Sequence, residues 1–190
     1  KRRINYVYKR LPIISSNSNK LTSTGAGGFA NHISSAVSDW PLFKHMLPEI
    51  AFTGHSNSGK STLVNAMIGV KPRKGIASVS DRAGWTDQIC FYQLGKRPPI
   101  LTLSDCPGYG HAVASAAQTQ LWKRMTYDYL KNRLVLSLCC VLVDTTRGLC
   151  SLDKQFLRVL SKMNIPRLII LTKSDLLDPL SLSRSLSIVA

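Results

Sequence analysis

Gly54-His55-Ser56-Asn57-Ser58-Gly59-Lys60-Ser61-Thr62 reads G-x-x-x-x-G-K-S, and this stretch decides the fold. The apolar Ile50-Ala51-Phe52 before it predicts a short buried strand. Leu63 to Ile68 after it predicts the start of a helix. In that strand–loop–helix setting, Gly54 and Gly59 leave the backbone free to turn several N–H groups inward toward an anion. The helix N-terminus adds partial positive charge at the same point. Lys60 brings a compact full charge for β- and γ-phosphates. The Ser61 hydroxyl is placed to ligate Mg²⁺, and the amides from Asn57 through Ser58 to Thr62 complete the cradle. The loop alone does not separate ATP from GTP.

Two later motifs narrow the choice. Ile100 to Ser104 predicts a strand that ends in Asp105-Cys106-Pro107-Gly108, which reads D-x-x-G. An acid at a strand's C-terminal end beside the phosphate loop is where a Mg²⁺-ordering carboxylate belongs. Gly108 offers an N–H to a γ-phosphate, a contact that hydrolysis would release. Arg167 to Leu171 predicts another buried strand, followed by Thr172-Lys173-Ser174-Asp175, a T-K-x-D variant of the guanine-reading N-K-x-D. A carboxylate at Asp175 can accept from both donors on guanine's edge. Adenine has neither, so it would leave that acid unpaired. Lys173 is expected to lie over the base. Between the loop and D-x-x-G, Lys71 to Thr86 shows no helical or strand period and predicts a loop. Thr86 stands just before the alternating strand Ile89 to Tyr92, where its hydroxyl could complete the Mg²⁺ shell and sense the γ-phosphate.

With 190 residues, 44% of them hydrophobic, the chain can bury the core of one α/β domain. Its longest apolar run, Leu134 to Val143, is too short to span a bilayer and reads as a central parallel strand. The net charge is +15, with 25 Lys and Arg against 10 acids. One Mg-nucleotide does not need that surplus, which points to a polyanion, most plausibly RNA. Leu152 to Met163 predicts a helix carrying Lys154, Arg158 and Lys162 as one basic stripe. None of the five cysteines has C-x-x-C spacing, so neither a zinc site nor a disulfide framework is expected.

Residues 1–40 differ from the rest. They hold Lys1, Arg2, Arg3, Lys9, Arg10 and Lys20, with no acid before Asp39. They predict an extended basic arm along RNA or a protein partner, leaving 41–190 for the nucleotide-binding domain. Their Arg- and Ser-rich, acid-poor character resembles the end of an organelle-targeted precursor. The mitochondrial matrix is therefore expected ahead of bacterial cytoplasm or plastid.

Pro48-Glu49-Ile50-Ala51-Phe52 leading into the phosphate loop, Asp105-Cys106-Pro107-Gly108-Tyr109-Gly110, and Asp144-Thr145-Thr146-Arg147-Gly148 with Asp153 together resemble the EngB (YihA/YsxC) GTPases. These belong to the TrmE-Era-EngA-EngB-septin-like group, and the likeness covers roughly residues 46–180. The resemblance implies a Ras-like α/β domain with a mostly parallel sheet flanked by helices, binding GTP or GDP with Mg²⁺. It implies a factor for assembly of the large ribosomal subunit, in contact with rRNA, ribosomal proteins and other assembly factors. By position, Thr86 matches the first switch, Asp105 and Gly108 the second, and Asn57 an asparagine that helps bind K⁺ in related GTPases. Tyr109 stands where Ras-like enzymes carry a catalytic glutamine, which implies slow hydrolysis. The family's P-G-R-T is here Ala83-Gly84-Trp85-Thr86, and its P-loop arginine is His55. The sequence ends at Ala190, before the family's sixth strand and second guanine loop, so the domain is expected to be incomplete there. A rival reading is a scaffold with weak or absent turnover on an assembling subunit. A third, a GTPase acting in tRNA modification, would need extra domains.

Overall fold

The computed structural model describes residues 30–36, 46–69, 88–95, 98–110 and 116–189. Their order is β1 (Ala30–Ala36), β2 (Glu49–Gly54), α1 (Lys60–Met67), β3 (Ile89–Leu94), β4 (Leu101–Asp105), α2 (Ala116–Asn132), β5 (Leu136–Asp144), α3 (Ser151–Lys162), β6 (Arg167–Thr172), a short 3₁₀ turn (Ser174–Leu176) and α4 (Pro179–Val189). Six strands form one sheet in the order β1-β3-β4-β2-β5-β6. β4, β2, β5 and β6 run parallel, while β3 pairs antiparallel with both β4 and β1. This is the mostly parallel Ras-like sheet expected from the strand–helix alternation. β2 lies between β4 and β5, so the loops leaving β2, β4 and, one strand further out, β6 open at the same carboxyl edge of the sheet.

Strand alternation divides the core into two layers. On β5, Cys139, Val141 and Val143 join one cluster, packed with Trp122, Met125, Tyr129 and Leu130 of α2 and Leu160 of α3. Cys140 and Leu142 face the other side, against Val64 of α1 and Ile68 at its C-terminal end, with Phe52, Tyr92 and Leu103. α2 and α3 thus share one face of the sheet and α1 covers the opposite one. Among the described residues no helix is long and apolar enough to cross a membrane.

One polar knot ties the layers together. Glu49, fully buried at the start of β2, accepts from the Tyr129 hydroxyl at 2.6 Å and from Arg133 Nη2 at 2.7 Å. The Arg133 guanidinium also lies 5.3 Å from the centre of the Phe91 ring. The end of α2 is thereby fixed to the strand that feeds the phosphate loop.

The structure departs from the sequence expectation at the amino-terminal arm. Ala30–Ala36, within the expected arm of residues 1–40, pair with Ile89–Leu94 as an edge strand of the sheet. An unpaired β3 edge offers a row of backbone donors and acceptors, and this segment satisfies them. Residues 1–29 and 37–45 lie outside the described residues, as does the loop before β3, including Thr86.

Candidate nucleotide-binding site

The phosphate loop leaves β2 at Gly54 and enters α1 at Gly59, which sits in the left-handed region at φ 89°. Asn57 is also left-handed, at φ 62°, and is exposed at the loop's tip. A side chain on Gly54 would run into the Leu142 carbonyl of neighbouring β5, so the sheet itself demands glycine there. Lys60 is buried, and its Nζ donates to the carbonyl oxygens of His55 at 3.1 Å and Gly54 at 3.4 Å. Burial lowers its pKa, against the opposing pull of Asp105. The ammonium is therefore held inside the curve of the loop by the loop's own backbone.

Asp105, at the end of β4, meets the start of α1. Its Oδ2 accepts from the Ser61 hydroxyl at 2.9 Å, whereas the buried Oδ1 has no hydrogen-bond partner among the described residues. Burial raises the carboxyl's pKa despite Lys60 and Ser61. A desolvated carboxylate with one orphaned oxygen beside a serine hydroxyl is a donor set that fits a hard divalent cation. Ser61 and Asp105 would supply two of its oxygen ligands.

The D-x-x-G segment lies directly on the phosphate loop. Ser56 N donates to the Tyr109 carbonyl at 2.9 Å, and Tyr109 N donates to the Gly54 carbonyl at 3.2 Å. A Cβ on Gly108 would come within 2.7 Å of Lys60 Nζ and 3.0 Å of Ser56 Cα, so only glycine allows this approach. Tyr109, at the position of the expected catalytic glutamine, turns into α3. Its hydroxyl donates to buried Asp153 Oδ1 at 2.7 Å and its ring packs on Phe156. Asp153 Oδ2 in turn accepts from Cys150 N and caps α3. His55 contacts the Arg147 guanidinium at 2.6 Å, bridging the phosphate loop to the turn after β5.

The T-K-x-D segment follows β6. The Thr172 hydroxyl donates to the Ser58 carbonyl at 2.8 Å, so threonine in the asparagine position still clamps this segment to the phosphate loop. Lys173, left-handed at φ 56°, pairs with Asp144 at 2.6 Å. Burial alone would raise the Asp144 carboxyl, but bonds from Lys173 and Thr146 outweigh it and hold the group below its usual range. Asp175 is exposed on the 3₁₀ turn just beyond. Thr62 is exposed on the first turn of α1, and Ser58 is buried with its hydroxyl unpartnered among the described residues.

The structure thus brings Gly54, Asn57, Ser58, Gly59, Lys60, Ser61, Thr62, Asp105, Gly108, Thr172, Lys173 and Asp175 to one edge of the sheet. Thr86 is outside the described residues. Sequence reasoning did not single out Asp144 as the partner of Lys173, or Asp153 as that of Tyr109. Asp144 stands in D-T-T-R-G and Asp153 just beyond it, but neither pairing has a local sequence signal.

Comparison with known proteins agrees with this geometry. Residues 49–173 match the family described as 50S ribosome-binding GTPase. The chain is 38% identical over 157 residues to a probable GTP-binding protein EngB of Brucella melitensis, covering 77% of this chain and 64% of that one. It is 39% identical over 133 residues to the EngB of Rhodospirillum rubrum, covering 69% and 56%. It therefore spans less than two thirds of these relatives' length. Among solved structures, a probable GTP-binding protein engB shares the fold at TM-score 0.53 and 21% identity, covering 75% of this chain and 78% of that one. Era in complex with MgGDPNP and a piece of 16S ribosomal RNA does so at TM-score 0.57 and 20% identity, covering 75% and 45%. The chain belongs to the 50S ribosome-binding GTPase family, among its EngB members.

Proposed function

We propose that this chain binds GTP and GDP with Mg²⁺ and hydrolyses GTP slowly, as an assembly factor of the large ribosomal subunit in mitochondria. Lys60 and the amides from Asn57 to Thr62, with Gly54 and Gly59 shaping the turn, hold the phosphates. Ser61 and Asp105, with Thr86, would hold Mg²⁺, whose charge would offset that of the phosphates. Gly108 meets the γ-phosphate. Thr172 sets the base-reading segment against the phosphate loop, Lys173 is steadied by Asp144, and Asp175 accepts guanine's two donors. Asn57 would help hold a K⁺ ion. Residues 41–190, with the edge strand Ala30–Ala36, form the nucleotide domain. The basic residues before Ala30 lie along rRNA, beside ribosomal proteins and other assembly factors.

The observation that carries this reading is the joint one at the sheet's edge. A lysine-bearing loop, a half-satisfied carboxylate on Ser61 and a guanine-type segment are tied together by the Thr172–Ser58 bond. The family's description as 50S ribosome-binding supports the ribosomal part. The surplus of +15 supports the RNA part. GTP turnover measured with and without large ribosomal subunits, in K⁺ and in Na⁺, tests it. Stimulation by subunits and by K⁺ is expected, and indifference to both contradicts the proposal.

One observation favours a second reading, a scaffold with little turnover. The Tyr109 hydroxyl is engaged by Asp153 and its ring by Phe156, with His55 of the phosphate loop met only edge-on. In that case subunit binding persists while turnover stays at background even with subunits present.

A further inference from the structure

We propose that the cleft between α2 and α3 is a binding site for single-stranded RNA, in which one unstacked base inserts between aromatic side chains and the flanking phosphates lie on two basic banks. The inference rests on the RNA-associated reading above and gives it a place. The cleft has a volume of about 250 Å³. Trp122, Tyr127 and Leu130 line it from α2, Phe156 from α3, and Tyr109 from the D-x-x-G segment. Tyr127 is half exposed, while Trp122 is buried in the floor.

Helical geometry places the charges. At about 100° per residue, Lys123 and Tyr127 edge the cleft on α2, with Lys131 and Arg124 on the strip beyond. On α3 Gln155 edges it, with Lys162 and Arg158 on the adjoining strip. Lys123, Arg124, Lys131, Arg158 and Lys162 are all exposed. Each helix has a single acid, and neither faces the cleft's mouth. Asp153 is buried and bonded to Tyr109, and Asp128 lies further round α2, bonded to Asn132. An aromatic slot between two cationic banks is complementary to a polyanion that can present a flat ring. A single RNA strand does so, whereas in duplex RNA the bases are stacked away. An acidic protein would match the charge but not the slot. Since Gly108 and Tyr109 close one end of the cleft, an inserted base touches the same segment that packs on Lys60.

The test uses the whole chain and a fluorescent 12-nucleotide single-stranded RNA, with the same sequence as a duplex and poly-glutamate as comparison probes. Tyr127→Ala is expected to weaken single-strand binding about tenfold, in line with loss of one stacked base. Duplex binding is unchanged, and Tyr127→Phe retains the affinity. Arg124→Gln/Arg158→Gln/Lys162→Gln is expected to flatten the plot of log affinity against log salt by about 2, at roughly 0.7 per released single-strand contact. Unchanged single-strand affinity in Tyr127→Ala, or an unchanged salt slope in the triple variant, overturns the cleft assignment. So does poly-glutamate binding that depends on Tyr127, which would assign the surface to an acidic protein. Wild-type chain that binds no RNA defeats the broader RNA reading as well. Wild-type binding that both variants preserve defeats the cleft alone.

Discussion

Glu49→Gln removes the charge at the centre of the knot joining β2 to the end of α2. Glu49 is fully buried and Arg133 is 7% exposed, so water cannot replace what the substitution takes away. The carboxylate accepts from Arg133 Nε at 3.1 Å and Nη2 at 2.7 Å, and from the Tyr129 hydroxyl at 2.6 Å. A glutamine amide keeps one acceptor but turns its NH₂ toward a guanidinium that has only donors. Losing one partner of a buried pair deprives the other charge of its carboxylate, at a cost of about 3–5 kcal/mol. For a chain of this size each kcal/mol moves the midpoint by roughly 2–4 °C, so thermal unfolding should shift down by about 6–20 °C. Glu49→Gln/Arg133→Met removes the guanidinium as well and should recover most of the loss, giving a large coupling energy in a double-mutant cycle. Urea titration of the wild type, both single variants and the double variant reads it directly. A single-variant loss below about 1 kcal/mol, or losses that merely add, would refute the reasoning that the pair is closed to solvent.

Gly108→Ala should lower guanine-nucleotide affinity at least tenfold, about 1.4 kcal/mol, because its Cβ meets Lys60 Nζ and the Ser56 backbone; isothermal titration checks this. Asp105→Asn should raise the melting temperature in EDTA by a few degrees while abolishing the Mg²⁺ dependence of nucleotide binding. The sign follows from the carboxyl's raised pKa. Burying it charged costs stability once pH rises above the ordinary carboxylate value near 3.9. The gain should therefore vanish below that pH, where both states hold the proton, and thermal scans at pH 3.5 and pH 7 distinguish the two regimes. Thr172→Val leaves the Ser58 carbonyl without its donor and should cost about 1 kcal/mol, read as a several-fold faster GDP release in stopped-flow fluorescence.

The parts of the site that were legible in the sequence are those whose chemistry is local. The phosphate loop announces itself because glycine spacing, lysine and hydroxyl must all fall within nine residues. Asp105 and Thr172 were placed by standing at the ends of apolar runs, where a parallel sheet gathers its loops. What stayed illegible depends on distant partners. Glu49 reads as a lone acid in an apolar strand until Arg133, 84 residues on, closes over it. Lys173 was expected over a base, and its contact is an ion pair with Asp144, which only the β5–β6 pairing brings near. Tyr109 finds Asp153 because α3 packs beside the D-x-x-G segment. Ala30–Ala36 carry no apolar alternation and read as arm. Their strand is imposed by the open edge of β3 rather than by their own side chains.

The central claim is that the pocket at the sheet's edge is built for guanine. It is tested most directly by competitive titration of GDP, ADP and XDP against the wild type and Asp175→Asn. The wild type should prefer GDP to ADP by at least a hundredfold, since adenine would leave the carboxylate facing no donor. Asp175→Asn should shift the preference to XDP, whose ring replaces the amino group with an oxygen that an amide can donate to. Equal affinity of the wild type for ADP and GDP, or an Asp175→Asn variant with unaltered preference, would contradict it.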